Sequence, residues 1–283
     1  MEEKILENIY YLGPNGSNAH NAMLKFMDIK TVDVKNQLPK KSIKSTLQAL
    51  EKDFDSICVL PIENSIEGIV RETIDNLVRI NDPKIRIQGE ITLPIKHLLL
   101  STTTDISKIK TIMSHPQALS QCGKFLYENF QHATIKEVPS TSYGAEQIAT
   151  LQDETLAVIA NETCAKLFNL NVLSSDINDE LDNKTRFYIL SRQELPKNKT
   201  GKTAIILSTK NVSGALCEVL KIFQKHEINL TYIDSRPSRK KLGEYLFFME
   251  LDGYETDYKI KMALDEIMTY VDFFRNLGSF QKF

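Results

Sequence analysis

No window of this 283-residue chain approaches the ~20 apolar residues of a membrane span. Residues 1–11 alternate charged and apolar side chains where a signal peptide would need a continuous apolar core. These absences predict a cytoplasmic protein. Charge of one sign is also missing. The 35 Lys and Arg against 37 Asp and Glu leave a net −2 without a basic tail, which argues against nucleic acid or an anionic membrane and for a small ligand. The four cysteines, Cys58, Cys122, Cys164 and Cys217, stand far apart among apolar neighbours with no CxxC pair, so they read as small core residues rather than disulfide or metal ligands. No histidine pair has metal spacing. The turn Gly13-Pro14-Asn15-Gly16, with glycines three apart, matches neither the P-loop nor the dinucleotide fingerprint. Metal, cofactor and nucleotide are therefore not expected.

What is present is an α/β rhythm, apolar runs alternating with helical patterns from residue 9 onward, in a chain long enough for about two domains. A polar, Pro- and Lys-containing break over 194–202 predicts an exposed linker, dividing the chain into 1–194 and 202–283. Beyond it the order is strand (203–208), helix (212–226), strand (230–234), strand (245–251), helix (258–270) and a short strand near Phe273. That βαββαβ order predicts a ferredoxin-like sandwich, with Leu216, Val219, Leu220 and Phe223 as the sheet-facing stripe of its first helix.

In the N-terminal region, polar residues able to cap a helix repeatedly precede an apolar stripe of helical period. Ser17 precedes Ala22, Met23 and Phe26; Asn64 and Ser65 precede Ile66, Ile69, Val70, Ile74 and Leu77. Ser114 precedes Leu119, Cys122, Phe125 and Leu126, and Ser140, Thr141 and Ser142 precede Ala145, Ile148 and Ala149. Helix N-termini gathered on one cleft bind anions without a metal, through unpaired N–H groups and the positive dipole end. For any one of them ordinary capping is the stronger explanation, since Asn64-x-x-Glu67 and Ser114-x-x-Gln117 are capping-box patterns. His115, at the start of its helix, is expected as a neutral ring able to hydrogen-bond a ligand or simply to hold structure; His97 carries a weaker signal.

The segment Asn183-Lys184-Thr185-Arg186-Phe187 sets one hydroxyl between two cations at the mouth of an apolar strand. Cations favour bound carboxylates, and the hydroxyl can exchange a proton beside them. The same letters also describe an ordinary half-buried strand with solvated ends.

Taken in order, Leu60-Pro61-Ile62-Glu63-Asn64-Ser65-Ile66-Glu67-Gly68, Ser114-His115-Pro116-Gln117-Ala118-Leu119-Ser120-Gln121-Cys122 and Lys184-Thr185-Arg186-Phe187 resemble the prephenate dehydratase family. The resemblance extends through Tyr11 to Gly16, Leu93 to Leu99 and Asp234-Ser235-Arg236-Pro237, nearly the whole chain. It implies a catalytic region of two lobes, like a type II periplasmic-binding protein, with the second lobe inserted at about 89–167, an active site between the lobes, and a C-terminal ACT regulatory domain. The implied reaction turns prephenate into phenylpyruvate with loss of water and carbon dioxide, in phenylalanine biosynthesis. By resemblance Thr185 is the acid that protonates the departing ring hydroxyl. Arg186, Phe187, Ser17, Asn64, Ser65, His115, Gln117 and Thr141 would line the cleft and bind substrate. Glu63 or Glu67 would replenish the proton only with a raised pKa and is not assigned that role.

Two positions depart from the family pattern. Gly16-Ser17-Asn18-Ala19 replaces Gly-Thr-Phe-Ser, keeping a hydroxyl while leaving open a preference for the aminated relative, arogenate. Ser213-Gly214-Ala215-Leu216 and Asp234-Ser235-Arg236-Pro237 replace Pro-Gly-Ala-Leu and Glu-Ser-Arg-Pro, which implies L-phenylalanine bound as inhibitor between two ACT domains of a homodimer or homotetramer. Gly214 has a competing structural explanation as a close-approach residue, and Arg236 as a partner of Asp234 or Glu250. From the early strand at Ile9 no preceding chorismate mutase domain is expected. The alternatives are an arogenate dehydratase or a non-catalytic two-lobed amino-acid sensor, which would not need Thr185.

Overall fold

The computed structural model describes residues 6–30, 34–195, 200–238 and 244–283. The expected linker at 194–202 falls partly outside the described residues. The strand Ser56–Asn64, apolar from Ile57 to Ile62, is fully buried over Ser56–Leu60, as a strand covered on both faces must be. It pairs in parallel with Leu6–Leu12, which pairs in parallel with Val34–Lys40. On its other side lies the antiparallel strand Lys184–Ser191, and beyond that Arg86–Pro94. A second sheet repeats this plan. Thr134–Glu137, Thr111–Ser114 and Leu156–Ala160 form the parallel trio, followed by antiparallel Leu98–Ser101 and Asn171–Ser174. The shared order, and the two strands Arg86–Pro94 and Lys184–Ser191 that carry the chain between lobes, give the two-lobed, periplasmic-binding-protein-like architecture expected from the sequence.

The lobe boundary differs from that expectation. Gly89 sits mid-strand in the first sheet, opposite Ile189, and the helix Glu162–Leu167 is followed by one more second-lobe strand, Asn171–Ser174. The second sheet therefore runs from Leu98 to Ser174 rather than stopping at 167.

The C-terminal unit has the predicted βαββαβ order, with strands Lys202–Thr209, Leu230–Pro237, Tyr245–Asp252 and Val271–Lys282 and helices Ala215–Lys225 and Tyr258–Ile267. Its last strand is far longer than the expected short piece near Phe273. It pairs in parallel with Arg86–Pro94 through Gln281 and Lys282, so one ten-stranded sheet runs through both domains. Alternation divides the strand Lys202–Thr209 between two cores. Ile205 and Leu207 face the two helices, whereas Ala204 and Ile206 join Tyr188, Leu60 and Phe280 in the core shared with the first lobe. At roughly 25 cal/mol per Å² of apolar surface, this shared core favours a fixed seat for the ACT unit. Among the described residues no helix is long and apolar enough to cross a membrane.

Candidate active site

Between the lobes lies a cleft of about 350 Å³. Thr185 and Phe187 reach it from one face of the strand Lys184–Ser191, joined on the first lobe by Asn64 and Ser17 and on the second by His115, Gln117 and Thr141. Two long helices begin at its walls. The helix Asn18–Lys30 is capped by Ser17, whose Oγ accepts the His20 N–H at 3.2 Å and donates to the Leu12 carbonyl at 2.8 Å. The helix Thr141–Leu151 is capped by Ser140, which accepts the Tyr143 N–H at 3.0 Å. Their positive ends thus approach one cavity from opposite lobes. The lobes touch where Asn161 Nδ2 donates to the Gly16 carbonyl at 2.8 Å. Gly16 has φ +82°, and a Cβ there would lie 2.9 Å from Cys164 Sγ, so glycine is required both by backbone and by the contact.

The capping-box expectations are corrected by local geometry. Asn64 ends a strand, and its Oδ1 accepts the N–H groups of Ile66 (3.0 Å) and Glu67 (3.1 Å) in a tight turn, while the helix itself starts at Arg71. Ser114 is buried as the last strand residue and donates to the Ile159 carbonyl at 2.6 Å, leaving His115 to cap the short helix Pro116–Ser120 through Nδ1, which accepts the Gln117 N–H at 3.2 Å.

Because two backbone donors fix Asn64 Oδ1, its Nδ2 must be the group that donates to Thr185 Oγ1 at 2.9 Å and to Asn183 Oδ1 at 2.8 Å. The polarity then propagates. Asn183 Nδ2 donates to Gln121 Oε1 at 3.0 Å, so the His97 Nε2 lying 3.0 Å from the same oxygen carries the proton. Burial holds His97 below its usual pKa, the bond to Gln121 opposing it, which keeps the ring neutral. Gln121 Nε2 and His97 Nδ1 remain buried and unpartnered. For Thr185 the consequence is that the Asn64 bond takes one lone pair of its oxygen and leaves the hydroxyl proton available to give. Sequence reasoning set His97 aside and did not assign Gln121 or Asn183, although all three lie in or beside the motif segments.

Two expected substrate contacts are elsewhere. Ser65 is exposed and ties down the crossover, its Oγ accepting the Lys184 N–H at 2.9 Å. Arg186 points away from the cleft because neighbours along a strand face opposite sides. Its guanidinium reaches Glu63 at 2.6 Å, Glu90 at 2.5 Å and Glu250 of the ACT unit at 2.6 Å, so it does not hold a substrate carboxylate. The same bond occupies Glu63. Glu250 is fully buried and also accepts from Tyr188 Oη and, at 2.9 Å, from Lys202 Nζ. Burial opposes the charge of Glu250, yet Arg186 and Lys202 outweigh it and hold the carboxyl below its ordinary range.

Cys58, Cys122 and Cys164 are buried as expected, but Cys217 is exposed. It lines a cavity of about 230 Å³ on the ACT unit together with Gly214, Ala215 and Leu216. Gly214 has φ +81° with open space above its Cα, so backbone conformation and not close packing calls for glycine. Asp234, Ser235, Arg236 and Pro237 lie on the outer strand, separated from that cavity by Tyr245–Asp252, and one protomer does not bring the two groups together. Arg236 pairs neither with Asp234 nor with Glu250; it bonds Asp75 of the first lobe at 3.1 Å.

A cleft between two lobes, presenting an aligned hydroxyl and two helix N-termini with a ferredoxin-like unit seated behind, defines a class: a two-lobed protein with a small-molecule cleft and an appended ferredoxin-like domain. The family profile for prephenate dehydratase matches residues 9–195 and that for the ACT domain matches 203–267. The chain belongs to the prephenate dehydratase family, and so to the decarboxylating dehydratases. It is 36% identical to the prephenate dehydratase of Methanocaldococcus jannaschii, covering 97% of this chain and 98% of that one. It is 35% identical to the bifunctional chorismate mutase/prephenate dehydratase of Aquifex aeolicus, over 100% of this chain and 75% of the longer relative. The solved structure of Arthrobacter aurescens prephenate dehydratase in complex with L-Phe superposes with a TM-score of 0.85 at 30% identity, covering 97% and 90% of the two chains.

Proposed function

We propose that this chain converts prephenate to phenylpyruvate, water and carbon dioxide, with Thr185 as the acid and with L-phenylalanine as inhibitor of an ACT-paired homo-oligomer. The observation that carries the reading is the Asn64-to-Thr185 hydrogen bond of 2.9 Å inside the interlobe cleft. In the reaction the bond from ring to carboxylate breaks. Its electron pair enters the ring and expels the ring hydroxyl, which takes the Thr185 proton and leaves as water; solvent returns a proton to the threonine. Threonine is a very weak acid, so transfer comes late, as charge develops on the departing oxygen in a site that excludes water. The two helix N-termini supply cationic ends for two carboxylates, a role that Arg186 is not placed to fill. Prephenate is favoured over arogenate by the relatives that match almost end to end.

Incubating the purified protein with prephenate and following phenylpyruvate by absorbance tests the reading; no product at any protein concentration would sink it. Phenylalanine, the ligand of the Arthrobacter structure, should slow turnover and bind by calorimetry. By linkage, substrate and inhibitor must then weaken one another equally.

A further inference from the structure

We propose that Glu250, a residue of the ACT unit, positions Thr185 by acting through Arg186, so that the regulatory domain supplies part of the support of the catalytic strand. This rests on the reading of Thr185 as the acid.

Arg186 is the residue after Thr185, and its guanidinium is gripped from three directions. Glu63 belongs to the neighbouring strand on one side and Glu90 to the neighbour on the other. Glu250 comes from Tyr245–Asp252, which hydrogen-bonds neither of them and reaches over the face of the sheet. It accepts from Arg186 Nη2 with both oxygens, at 2.6 and 2.8 Å. It also binds Tyr188, the next residue on the same face of the same strand. One ACT carboxylate thus holds two consecutive rear-facing side chains, and Thr185 is the front-facing residue beside them.

The pairing of this strand with Ser56–Asn64 shifts register where this hold applies, the extra residue lying in Ser56–Asn64. Arg186 is registered with Glu63 but Phe187 with Pro61, a bulge that leaves Ile62 without an opposite residue. Bulges re-aim side chains and locally disrupt the hydrogen-bond ladder. Thr185 and Arg186 lie on one side of that bulge and Tyr188 on the other, so Glu250, by holding both Arg186 and Tyr188, spans it from the rear. Three carboxylates face two cations, Arg186 and Lys202, so one negative charge is in surplus. Neutralising Glu250 therefore leaves Arg186 with two carboxylates and the cluster balanced, and the fold should survive it.

Glu250 could instead be only an attachment of one domain to the other. Arg86 and Glu255 serve as a control for that role, because their 2.5 Å pair joins the same two domains without touching Arg186. In the full-length protein with prephenate as substrate, Glu250→Gln should lower kcat by about tenfold with KM changed less than twofold, below the ~100-fold of a 1 Å misplacement. Glu250→Asp should recover part of the loss, and Arg86→Gln should leave kcat within twofold of wild type. An unchanged kcat in Glu250→Gln, or an equal fall in Arg86→Gln, overturns the proposal. Should Glu250→Gln fail to fold, Arg186→Lys decides, since it keeps the charge but removes the fork that Glu250 holds with both oxygens: a lower kcat at unchanged KM supports the proposal and an unchanged kcat refutes it. Thr185→Val is assayed alongside; if that variant turns over normally, the acid assignment has failed rather than the positioning role of Glu250.

Discussion

The two faces of the strand Lys184–Ser191 use different chemistry within one turn of the pleat. The front presents neutral groups, the Thr185 hydroxyl and the Phe187 ring, and its partners are the amides of Asn64, Asn183 and Gln121. The rear presents Arg186 and Tyr188 to carboxylates, one of them from another domain. In the sequence these residues interleave, and Lys184-Thr185-Arg186 looks like a hydroxyl set between two cations. In the fold neither cation is beside the hydroxyl. Lys184 is exposed, with its amine 3.8 Å from Asp182, and Arg186 is on the far side of the sheet. Adjacency along a strand is separation in space, so charge beside a catalytic residue in sequence is weak evidence of charge in its site.

The largest effect expected from breaking this division lies on the front. Removing a general acid costs about 10²- to 10⁴-fold. Thr185→Val, close in shape but lacking the hydroxyl, should lose nearly all turnover with the fold intact by circular dichroism, while Thr185→Ser keeps part of it. Full activity in Thr185→Val would mean that another group gives the proton.

Next in size is a test of the rear. If Arg186 bound substrate, Arg186→Met would raise KM and leave stability alone. Its place in the ion cluster predicts the reverse ordering, because the variant leaves buried carboxylates with Lys202 as their remaining cation. Breaking such a cluster costs about 3–5 kcal/mol. A thermal melt should show a fall of several degrees, and an unchanged Tm with a raised KM would return Arg186 to the substrate.

The fold was legible where local periodicity and burial agree. Leu216, Val219, Leu220 and Phe223 have the spacing of a sheet-facing stripe, and the ACT helix carries them there. The final strand was misjudged as short because Arg275, Asn276, Gly278 and Ser279 break its alternation, and its pairing with Arg86–Pro94 belongs to a cross-domain contact that no local pattern encodes. In the site, Asn64 and Thr185 stood out through their motifs. The line from Asn64 through Asn183 and Gln121 to His97 did not, because each bond joins distant segments and its direction depends on two backbone N–H groups at Ile66 and Glu67. Capping was misread for a related reason. Asn64 and Ser114 have the right letters three residues before Glu67 and Gln117, but each is the end of a strand, where the same side chain finishes a turn or bonds a neighbouring strand.

The smallest effect concerns the far end of that amide line. His97 is buried and neutral, with a pKa below the usual 6.5, so between the two values the unfolded chain binds a proton that the folded chain does not. Its contribution to stability is therefore complete above about pH 6.5 and declines as the pH falls below it. His20, half-buried and also lowered by its desolvation, declines in the same direction and forms a background common to both proteins. Replacing His97 by glutamine removes the titration while retaining a polar side chain. Melts at pH 8 and pH 5.5 should show wild type losing more Tm than His97→Gln, by a few degrees at most. Equal losses would mean that His97 takes up its proton in the fold as readily as in the unfolded chain, so that at pH 5.5 its bond to Gln121 is a charged one and the second-lobe wall of the cleft departs from the neutral character of the front face.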